Sequence, residues 1–475
     1  MITETIIPEH EIDKNPFPFW LRWNRTSPQL LIQSETKLLQ RLRSTLKGFF
    51  VPIFGGKCFI RTVLAKFNDT QSKTQSKDKI PLVLIHGFAS GLGLWCKNVD
   101  AIAAHRPVYT FDLLGFGRSS RPQFPKEADE VETYWVDSVE EWRSAMNLDS
   151  FVLVGHSLGG FISTAYALRH PHRVAHLILV DPWGFNEAPV EQTVPPGLSY
   201  PIFRAIRGYL SWSSPLAILR ALGPLGRSAI HRVRGDLRST FDQRSLISGE
   251  CLQVPSYEEE EAYFTSHDSP RTDSDSDFGS NRRTNVVSRG NSSDSMLNSQ
   301  KVDDLDGTAA LDYIYHINVQ TPSGEVAFKT LCSPLPWARY PMLQRVDRLD
   351  RAVPMTFIFG SRSWMDISSG TKTKAKRPDS YVDIRVIEGA GHQVYAQAAD
   401  EFNACVNEVA ARVDAGELFG PGDATSPLEG HTRRPSKDQA PKKRRSVTSR
   451  PRIQGVSSVI KQSENDPDAT DETSS

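Results

Sequence analysis

The sequence predicts an α/β fold with a mostly parallel, doubly wound sheet, and two observations support this. Short apolar runs recur along the chain, at residues 81–85, 108–111, 151–154, 177–180 and 355–359. Stretches with helical periodicity separate them, among them 133–146 and 160–169. Continuous apolar runs of this length are typical of strands that are buried on both faces, with crossover helices between them.

Composition limits the classes of protein that need consideration. The 475 residues suffice for one large catalytic domain with appendages. Lys and Arg total 56, as do Asp and Glu, so the net charge of +0 excludes binding of nucleic acid by bulk charge. Hydrophobic residues make up 39% of the chain, below the roughly 45% typical of compact domains. Part of the chain is therefore predicted to lie outside the folded core.

Two polar regions account for this deficit. Residues 244–306 are rich in Ser, Asp, Arg and Asn and are predicted to be a disordered insertion, and residues 414–475 are predicted to be a disordered tail. The folded domain is then expected over 51–413. A helical cap is expected at about 183–340, where large apolar residues become frequent, because ligands bind at the carboxyl edge of such sheets.

The N-terminal segment, residues 1–50, combines aromatic and basic residues. Phe17, Trp20 and Trp23 stand beside arginines, ahead of a leucine-rich, amphipathic basic stretch. This composition is typical of an anchor that lies in a lipid surface. The alternative is a helix that packs on the surface of its own domain. The aromatic cluster favours the lipid interpretation.

The cysteines and the N-terminus allow predictions about disulfides, cofactors and location. The five cysteines are scattered along the chain without a Cys-x-x-Cys pair: Cys58, Cys96, Cys251, Cys332 and Cys405. The sequence therefore predicts neither a disulfide framework nor a zinc site. No metal or organic cofactor is expected. A basic segment followed by an apolar one is missing from the N-terminus, and no apolar run reaches about 18 residues. These features predict an intracellular protein that does not span a membrane.

A G-x-S-x-G motif carries the first chemical prediction. Gly155, Ser157 and Gly159 directly follow the apolar run 151–154 and precede a helical stretch. A serine in this strand-turn-helix context is exposed on a sharp turn as a nucleophile. The glycines are required because a Cβ at either position would clash with neighbouring backbone.

A nucleophilic serine needs a base, and the base needs an acid that orients it. In this type of site the chain order is Ser, acid, His. His392 fits as the base, because it follows a strand-like stretch and the turn 389–391 near the end of the folded region. Asp366, just beyond the run 355–359, is predicted as the acid.

Two other aspartates follow predicted strands. Asp181, after the run 177–180, is the alternative acid, because a carboxylate on that loop could also reach the imidazole. Its other interpretation is a turn or cap residue beside Pro182. Asp112 is assigned to a tight turn rather than to catalysis.

The negative charge of a tetrahedral intermediate requires N–H donors fixed in advance. The backbone amides of Phe88 and Leu158 are the predicted oxyanion hole, since one follows the first predicted parallel strand and the other follows the nucleophile. His86 and Gly87 are predicted to be structural parts of this loop. His156 is predicted to fill the turn at the nucleophile.

Eight segments together resemble one family. They are HGF at 86, DLLGFGRSS at 112, GHSLGG at 155, VDPWGF at 180, TPSGE at 321, PMLQR at 341, FIFGSRSWMD at 357 and GAGHQVYAQ at 389. The chain resembles the α/β-hydrolase domain-containing proteins of the subfamily 4 and 5 group, over about 51–413 apart from the insertion. The resemblance implies an α/β-hydrolase fold with an inserted helical cap and a triad of Ser157, Asp366 and His392.

The group has two branches. One resembles lysophospholipases and N-acyl phospholipid lipases with a serine nucleophile. The other lacks the serine, co-activates a triglyceride lipase at lipid droplets, and has been described as a lysophosphatidic acid acyltransferase that makes phosphatidic acid. Ser157 is typical of the first branch. The resemblance also carries residues important for co-activation onto Arg362 and Gly391, whereas Gln397 stands where the acyltransferase motif has an aspartate.

The expectation is therefore a serine ester hydrolase that acts on glycerophospholipids such as lysophospholipids or N-acyl phospholipids. The alternatives are a lipid-droplet co-activator of a triglyceride lipase and a lysophosphatidic acid acyltransferase. The expected partners are a phospholipid or acylglycerol substrate, a membrane or lipid-droplet surface and a triglyceride lipase, with no nucleic acid. The expected location is the cytoplasm, peripherally on lipid droplets or on membranes such as those of mitochondria or the endoplasmic reticulum.

Overall fold

A computed structural model describes most of the predicted folded region. The described residues are 8–11, 15, 17–66, 79–189, 208, 213–242, 307–333, 335–417, 419–420 and 422–423. The predicted insertion at 244–306, and the predicted tail beyond residue 423, lie outside the described residues. So does part of the predicted cap, at 190–207.

The described residues form one eight-stranded sheet. Its strands are β1 (Thr45–Ile53), β2 (Cys58–Lys66), β3 (Leu82–Ile85), β4 (Val108–Phe111), β5 (Phe151–His156), β6 (Val174–Val180), β7 (Met355–Gly360) and β8 (Val382–Ile387). They are arranged in the order β1-β2-β4-β3-β5-β6-β7-β8. The strands from β4 to β8 in this order run parallel, and β1 and β2 are antiparallel additions at one edge. The predicted fold class is confirmed.

Helices cover both faces of this sheet. In chain order they are α1 (Pro28–Leu39), α2 (Val99–Ala103), α3 (Ala128–Ala145), α4 (Leu158–Arg169), α5 (Ala217–Ala221), α6 (Gly226–Val233), α7 (Gly235–Phe241), α8 (Thr308–Asn318), α9 (Gly324–Leu331), α10 (Ser368–Lys376), α11 (Val394–Gln397) and α12 (Ala399–Asp414). Helices α5 to α9 come from the region predicted to form the cap.

The core has two apolar layers, one on each face of the sheet. Alternate residues of β3 enter different layers: Val83 and Ile85 pack with the buried tryptophans of α3, whereas Leu82 and Leu84 pack with the apolar side of α12. All four side chains are fully buried. Burial on both faces is the physical reason why the parallel strands read as continuous apolar runs.

The N-terminal segment divides into two parts with different surroundings. Helix α1 begins at a Ser27 cap, whose Oγ accepts a hydrogen bond from the Leu30 amide at 3.2 Å. Leu31 and Leu38 of this helix are buried with residues of α8. The domain itself therefore covers the apolar side of the helix, as in the alternative interpretation, and lipid association of the segment remains a prediction. Trp20 and Trp23, ahead of the helix, are exposed.

None of the described helices is long and apolar enough to cross a membrane. The cysteines within the described ranges are free thiols, namely Cys58, Cys96, Cys332 and Cys405.

Candidate active site

Ser157 lies on a strained turn between β5 and α4. Its φ and ψ angles are 52° and −115°, in a region that residues with a side chain seldom adopt. A Cβ at Gly155 would lie 2.5 Å from the Gly159 carbonyl oxygen, and one at Gly159 would lie 2.5 Å from the Ile85 carbonyl oxygen. Both glycines are therefore required by close backbone approaches, as the sequence predicted. The strain is typical of a nucleophile elbow.

The loop that follows β3 lies directly against this turn. A Cβ added to Gly87 would lie 3.0 Å from Ser157 Cβ and 2.8 Å from His156 Nδ1. Phe88 is the next residue in this loop. The Leu158 amide is at the first position of α4, where an N–H has no acceptor within the helix. The predicted oxyanion donors thus belong to the two chain segments that meet at Ser157, and their role remains a prediction.

His392 is held by Asp181 and not by Asp366. His392 Nδ1 and Asp181 Oδ2 are 2.9 Å apart, at the carboxyl edge of the sheet. With Nδ1–H as the donor, His392 Nε2 is left to accept a proton from a serine hydroxyl. Within the described residues no hydrogen bond joins Ser157 Oγ to this imidazole, and in many catalytic sites this contact tightens only when substrate is bound.

The preference for Asp366 as the orienting acid is therefore wrong in this structure. Asp366 is exposed, and its carboxylate accepts hydrogen bonds from the Ser368 amide at 2.9 Å and from Asn186 Nδ2 at 3.1 Å. Burial would raise the pKa of this carboxyl, but the bonds from Ser368 outweigh burial and lower it. Asp366 forms a turn that starts α10, the role that the sequence had suggested for Asp181.

Asp181 is buried but well supplied with donors. It directly follows β6 with a φ of 45°, and its side chain is fully buried. Besides the imidazole, the Gly360 amide donates to Oδ1 at 3.3 Å and the Ser363 hydroxyl donates to Oδ2. A buried carboxylate is costly unless it is hydrogen-bonded, and these bonds offset that cost. No pattern in the sequence singles out Ser363, which lies three residues before Asp366.

His156 supports the backbone of the histidine loop. Its Nε2–H donates to the His392 carbonyl oxygen at 2.9 Å, because a carbonyl can only accept. Its Nδ1 is buried and has no hydrogen-bond partner within the described residues. Burial, reinforced by the neighbouring His392, lowers the pKa of His156 well below its ordinary value. His156 is therefore neutral and holds the loop, which is more than the filling role that the sequence predicted.

His86 is structural, as expected, and belongs to a buried polar cluster. Its Nδ1–H donates to the Gly87 carbonyl at 2.8 Å, and its Nε2 accepts from the Leu113 amide at 2.9 Å. Burial lowers the pKa of His86 to about 4.

Asp112 accepts hydrogen bonds from the Leu92 amide at 2.7 Å and from the Arg118 amide at 2.8 Å. Burial, and to a smaller extent the negative charge of Glu35, raises the pKa of Asp112 to about 7. Asp112 thus organises a turn, as predicted.

Aromatic side chains line the region around the elbow. The Phe88 ring stacks on Phe328 of α9, with ring centroids 4.4 Å apart, and Trp183 lies 4.8 Å from the same Phe328 ring. Trp364 is 66% exposed, and its ring lies 5.0 Å from the His392 imidazole. An apolar lining with a few converging polar groups is typical of a site that binds an acyl group.

The residues that the resemblance linked to other activities lie beside the histidine loop. Arg362 is exposed, and its Nε donates to the Gly389 carbonyl at 2.8 Å. Gln397 Oε1 accepts from the Gly391 amide at 2.7 Å. Arg362 and Gln397 therefore both bond to the turn that precedes His392.

The donor set does not resemble a metal centre. No group of three or more His, Cys, Asp or Glu side chains that could hold a metal ion occurs within the ranges that the structure describes. The chemistry available at the site is that of a hydroxyl nucleophile, an oriented imidazole and two amide donors. Such a set is suited to acyl transfer to water or to another hydroxyl.

An elbow serine, an imidazole held by a buried carboxylate and a parallel sheet that presents both at its carboxyl edge define the α/β-hydrolase class. A sequence profile of the α/β hydrolase fold matches residues 80–204. The crystal structure of carboxylesterase CesB (YbfK) from Bacillus subtilis is 14% identical with a TM-score of 0.46, covering 82% of this chain and 99% of that chain.

Two curated relatives are considerably more similar. The chain is 40% identical to 1-acylglycerol-3-phosphate O-acyltransferase ABHD5 of Rattus norvegicus over 393 residues, which cover 82% of this chain and 91% of the relative. It is 37% identical to (lyso)-N-acylphosphatidylethanolamine lipase of Mus musculus over 392 residues, which cover 82% and 94%. The chain belongs to the family of α/β-hydrolase domain-containing proteins of the subfamily 4 and 5 group, and the resemblance noted in the sequence is confirmed.

Proposed function

We propose that the protein is a serine ester hydrolase of glycerophospholipids such as lysophospholipids and N-acyl phospholipids. The single observation that carries the proposal is the His392–Asp181 hydrogen bond beside the strained Ser157. The name of the mouse relative, a (lyso)-N-acylphosphatidylethanolamine lipase, supports the substrate class. The aromatic lining around Phe88 supports an acyl chain as the group that is bound.

The proposed reaction has two steps that share one imidazole. His392 Nε2 takes the proton of Ser157 Oγ–H as Oγ attacks the ester carbonyl carbon, and the carbonyl electron pair moves onto its oxygen. The Phe88 and Leu158 amides stabilise that oxyanion. The bond to the glycerol oxygen then breaks, and this oxygen takes the proton from His392. Water attacks the acyl-Ser157 by the same route, which releases the fatty acid and restores the serine.

Acyl transfer is the second candidate, favoured by the name of the rat relative, an acylglycerol-phosphate acyltransferase. The chemistry needs only that a lysophospholipid hydroxyl replaces water in the second step. This route depends on Ser157 and does not depend on an acid at position 397. A supply of acyl groups as a thioester would distinguish it, because hydrolysis yields free fatty acid whereas transfer yields a diacyl phospholipid.

The site of action in this proposal is the surface of a membrane or lipid droplet. The exposed Trp20 and Trp23 support it, since aromatic side chains beside arginines are typical of interfacial binding. A triglyceride lipase as partner, with the exposed Arg362 in the contact, is the interpretation to test if the serine proves unreactive.

Labelling with a fluorophosphonate probe tests the proposal. Purified protein should be labelled, and Ser157→Ala and His392→Ala should each abolish labelling, because the probe reacts only with an activated serine. Labelled protein would then be assayed on lysophospholipids and N-acyl phospholipids. Folded, monodisperse protein that remains unlabelled would contradict the hydrolase and favour the co-activator interpretation.

A further inference from the structure

The oxyanion loop, as we call residues 86–93 after β3, has a strained backbone at one residue. Ala89, which directly follows Phe88, has a φ of 56°. A residue with a side chain seldom adopts this left-handed conformation, which persists only where surrounding contacts hold it. The conformation of the chain beside the predicted oxyanion donor therefore depends on the contacts that hold Ala89.

Asn318, the last residue of α8, makes such a contact. Its Nδ2 donates to the Ala89 carbonyl oxygen at 2.9 Å and to the Ile314 carbonyl oxygen, in its own helix, at 2.8 Å. Both acceptors are carbonyl groups, which cannot donate, so the orientation of the side-chain amide is determined. The Asn318 side chain is buried. This residue therefore ties the oxyanion loop to the cap by a hydrogen bond that is largely shielded from water.

The end of α8 that carries Asn318 is itself held in place. The last carbonyl groups of a helix have no partners within the helix. Here side chains supply them: Arg121 Nη2 donates to the Ile317 carbonyl at 3.0 Å, and Arg220 Nη1 donates to the Asn318 carbonyl at 3.1 Å. Arg220 is also paired with Glu325 of α9. Because these bonds fix the end of the helix, the Asn318 amide has a defined position from which to hold the loop.

The peptide unit that carries the Phe88 N–H is held from both sides. It is planar and includes the Gly87 carbonyl, which accepts from His86 Nδ1–H at 2.8 Å. His86 thus fixes this unit from within the loop, and Asn318 fixes the next residue, Ala89, from the cap. Relaxation of Ala89 to an ordinary negative φ would shift the Phe88 N–H, because the two residues are joined directly.

Two other contacts attach the oxyanion loop to the cap. The Tyr313 hydroxyl of α8 accepts from the Gly93 amide at 3.3 Å. The Phe88 ring stacks on the Phe328 ring of α9, with centroids 4.4 Å apart. Neither contact involves the side chain of Asn318. A substitution of Asn318 therefore tests the local conformation of the loop and not its attachment.

We propose that Asn318 is a positioning residue of the oxyanion hole, which holds Ala89 so that the Phe88 amide keeps its direction while negative charge develops. The proposal rests on the proposed function, in which Phe88 supplies an oxyanion donor. Donors stabilise a transition state most when they do not have to reorient as the charge forms. Loss of Asn318 leaves the Phe88 donor present but free to turn. It therefore lowers the rate of acyl transfer and leaves binding of the uncharged ester unchanged.

Steady-state kinetics of the full chain on a soluble ester measures the first consequence. Asn318→Leu, which keeps the size of the side chain but removes its N–H groups, should lower kcat by about tenfold to a hundredfold at an unchanged KM. The matched control is Asn407→Leu, because Asn407 Nδ2 also donates to a backbone carbonyl, that of Ala101 at 3.0 Å, but joins α12 to α2. The control should keep the wild-type kcat. A raised KM with the wild-type kcat in Asn318→Leu would overturn the proposal.

An alkyl trifluoromethyl ketone separates lost stabilisation of the oxyanion from a general structural loss. Ser157 Oγ adds to its carbonyl carbon, His392 takes the serine proton, and the adduct carries an oxyanion like that of the transition state. Asn318→Leu should raise the inhibition constant of the ketone by the same factor by which it lowers kcat/KM. The corresponding trifluoromethyl alcohol forms no adduct and should inhibit both proteins equally. A ketone that inhibits the variant as strongly as the wild type would overturn the proposal.

A substitution at Ala89 tests whether Asn318 acts through this residue. Glycine adopts positive φ values without strain, so the oxyanion loop with Ala89→Gly should depend less on Asn318. The factor by which Asn318→Leu lowers kcat should be at least about threefold smaller in the Ala89→Gly background than in wild type. Equal factors in both backgrounds would contradict the proposed route. Asn318→Asp, which keeps the shape of the side chain without N–H groups, replaces Asn318→Leu if circular dichroism shows that the leucine variant is unfolded.

This proposal and the proposed function fail in different ways. If the wild type has kcat on esters and Asn318→Leu has the same kcat, the hydrolase stands and the positioning role is contradicted. If the wild type neither hydrolyses esters nor reacts with fluorophosphonate, the hydrolase is contradicted, and amide hydrogen exchange decides whether Asn318 holds the loop. Asn318→Leu should then speed exchange in the peptide that contains Phe88 and Ala89 by about fivefold or more, and Asn407→Leu should not. Exchange as slow as in the wild type would overturn the positioning role.

Discussion

At the scale of single residues, the site depends on the hydrogen bonds that one buried carboxylate accepts. Asp181 has no solvent contact, so its charge depends on the imidazole of His392, the hydroxyl of Ser363 and the amide of Gly360. A carboxylate held in this way fixes the tautomer and the direction of the imidazole. Ser363 is therefore a positioning residue that acts through Asp181.

Removing the Ser363 hydroxyl should slow the reaction without weakening substrate binding. Ser363→Ala should lower kcat by about threefold to tenfold at an unchanged KM, because the imidazole becomes less well oriented while the acyl site is intact. Steady-state kinetics on a soluble ester would measure both constants. Ser368→Ala is the matched control, since Ser368 bonds to the exposed Asp366, and it should behave as wild type. Equal losses in the two variants would contradict the assignment of Asp181.

The strands that could be predicted from the sequence are those buried on both faces, because such burial produces a continuous run of apolar residues. Strands β3 to β7 lie between two layers of helices and read as apolar runs, and the elbow motif located Ser157. Strands β1 and β2 were missed, because β1 is only partly buried and β2 carries a buried Arg61 instead of an apolar run. The sequence could not choose between Asp181 and Asp366, since both follow strands that end at the same edge.

Helix α1 is attached to the sheet by a buried ionic cluster, which the sequence also did not reveal. Glu35 Oε1 accepts from Arg61 Nη2 at 2.8 Å and from Arg118 Nη1 at 2.7 Å, and Arg118 also pairs with Glu11 at 2.7 Å. Burial would raise the pKa of Glu35, but the two arginines outweigh burial and lower it. The cluster joins the N-terminal segment to β2 and to the turn that contains Arg118.

Neutralising Glu35 should therefore destabilise the fold. Glu35→Gln removes the negative charge that two buried guanidinium groups share, so the free energy of unfolding should fall by about 3–5 kcal/mol. Urea denaturation followed by tryptophan fluorescence would measure it. Asp149→Asn, which removes an exposed ion pair with Arg173, should leave stability unchanged. A Glu35→Gln protein as stable as the parent would show that the cluster contributes nothing to stability.

At the scale of the whole molecule, buried histidines couple folding to pH. Burial lowers the pKa of His86 and His316 to about 4 and that of His176 to about 3. Between their unfolded value of about 6.5 and these folded values, the unfolded chain binds more protons than the folded one. Each histidine therefore contributes stability that is lost as the pH falls. Asp112, with its pKa raised to about 7, acts in the opposite direction.

The histidines outnumber the carboxyl, so acidification should destabilise the protein. The free energy of unfolding should decrease by about 3 kcal/mol or more from pH 7 to pH 4.5, since one pKa unit corresponds to about 1.4 kcal/mol. Urea titrations at a series of pH values would give the slope. His176→Gln should flatten it, whereas the exposed His172→Gln should not. Stability that rises on acidification would mean that Asp112 outweighs the buried histidines.

A comparison of two aspartates decides whether Ser157 is activated through Asp181. The rate of fluorophosphonate labelling would be determined for wild type, Asp181→Asn and Asp366→Asn, each checked for folding by circular dichroism. Asp181→Asn should slow labelling by about 10³-fold or more, because an asparagine favours the wrong imidazole tautomer. Asp366→Asn should stay within about threefold of wild type, as expected for a surface change. A large loss with Asp366→Asn and none with Asp181→Asn would contradict a triad of Ser157, His392 and Asp181.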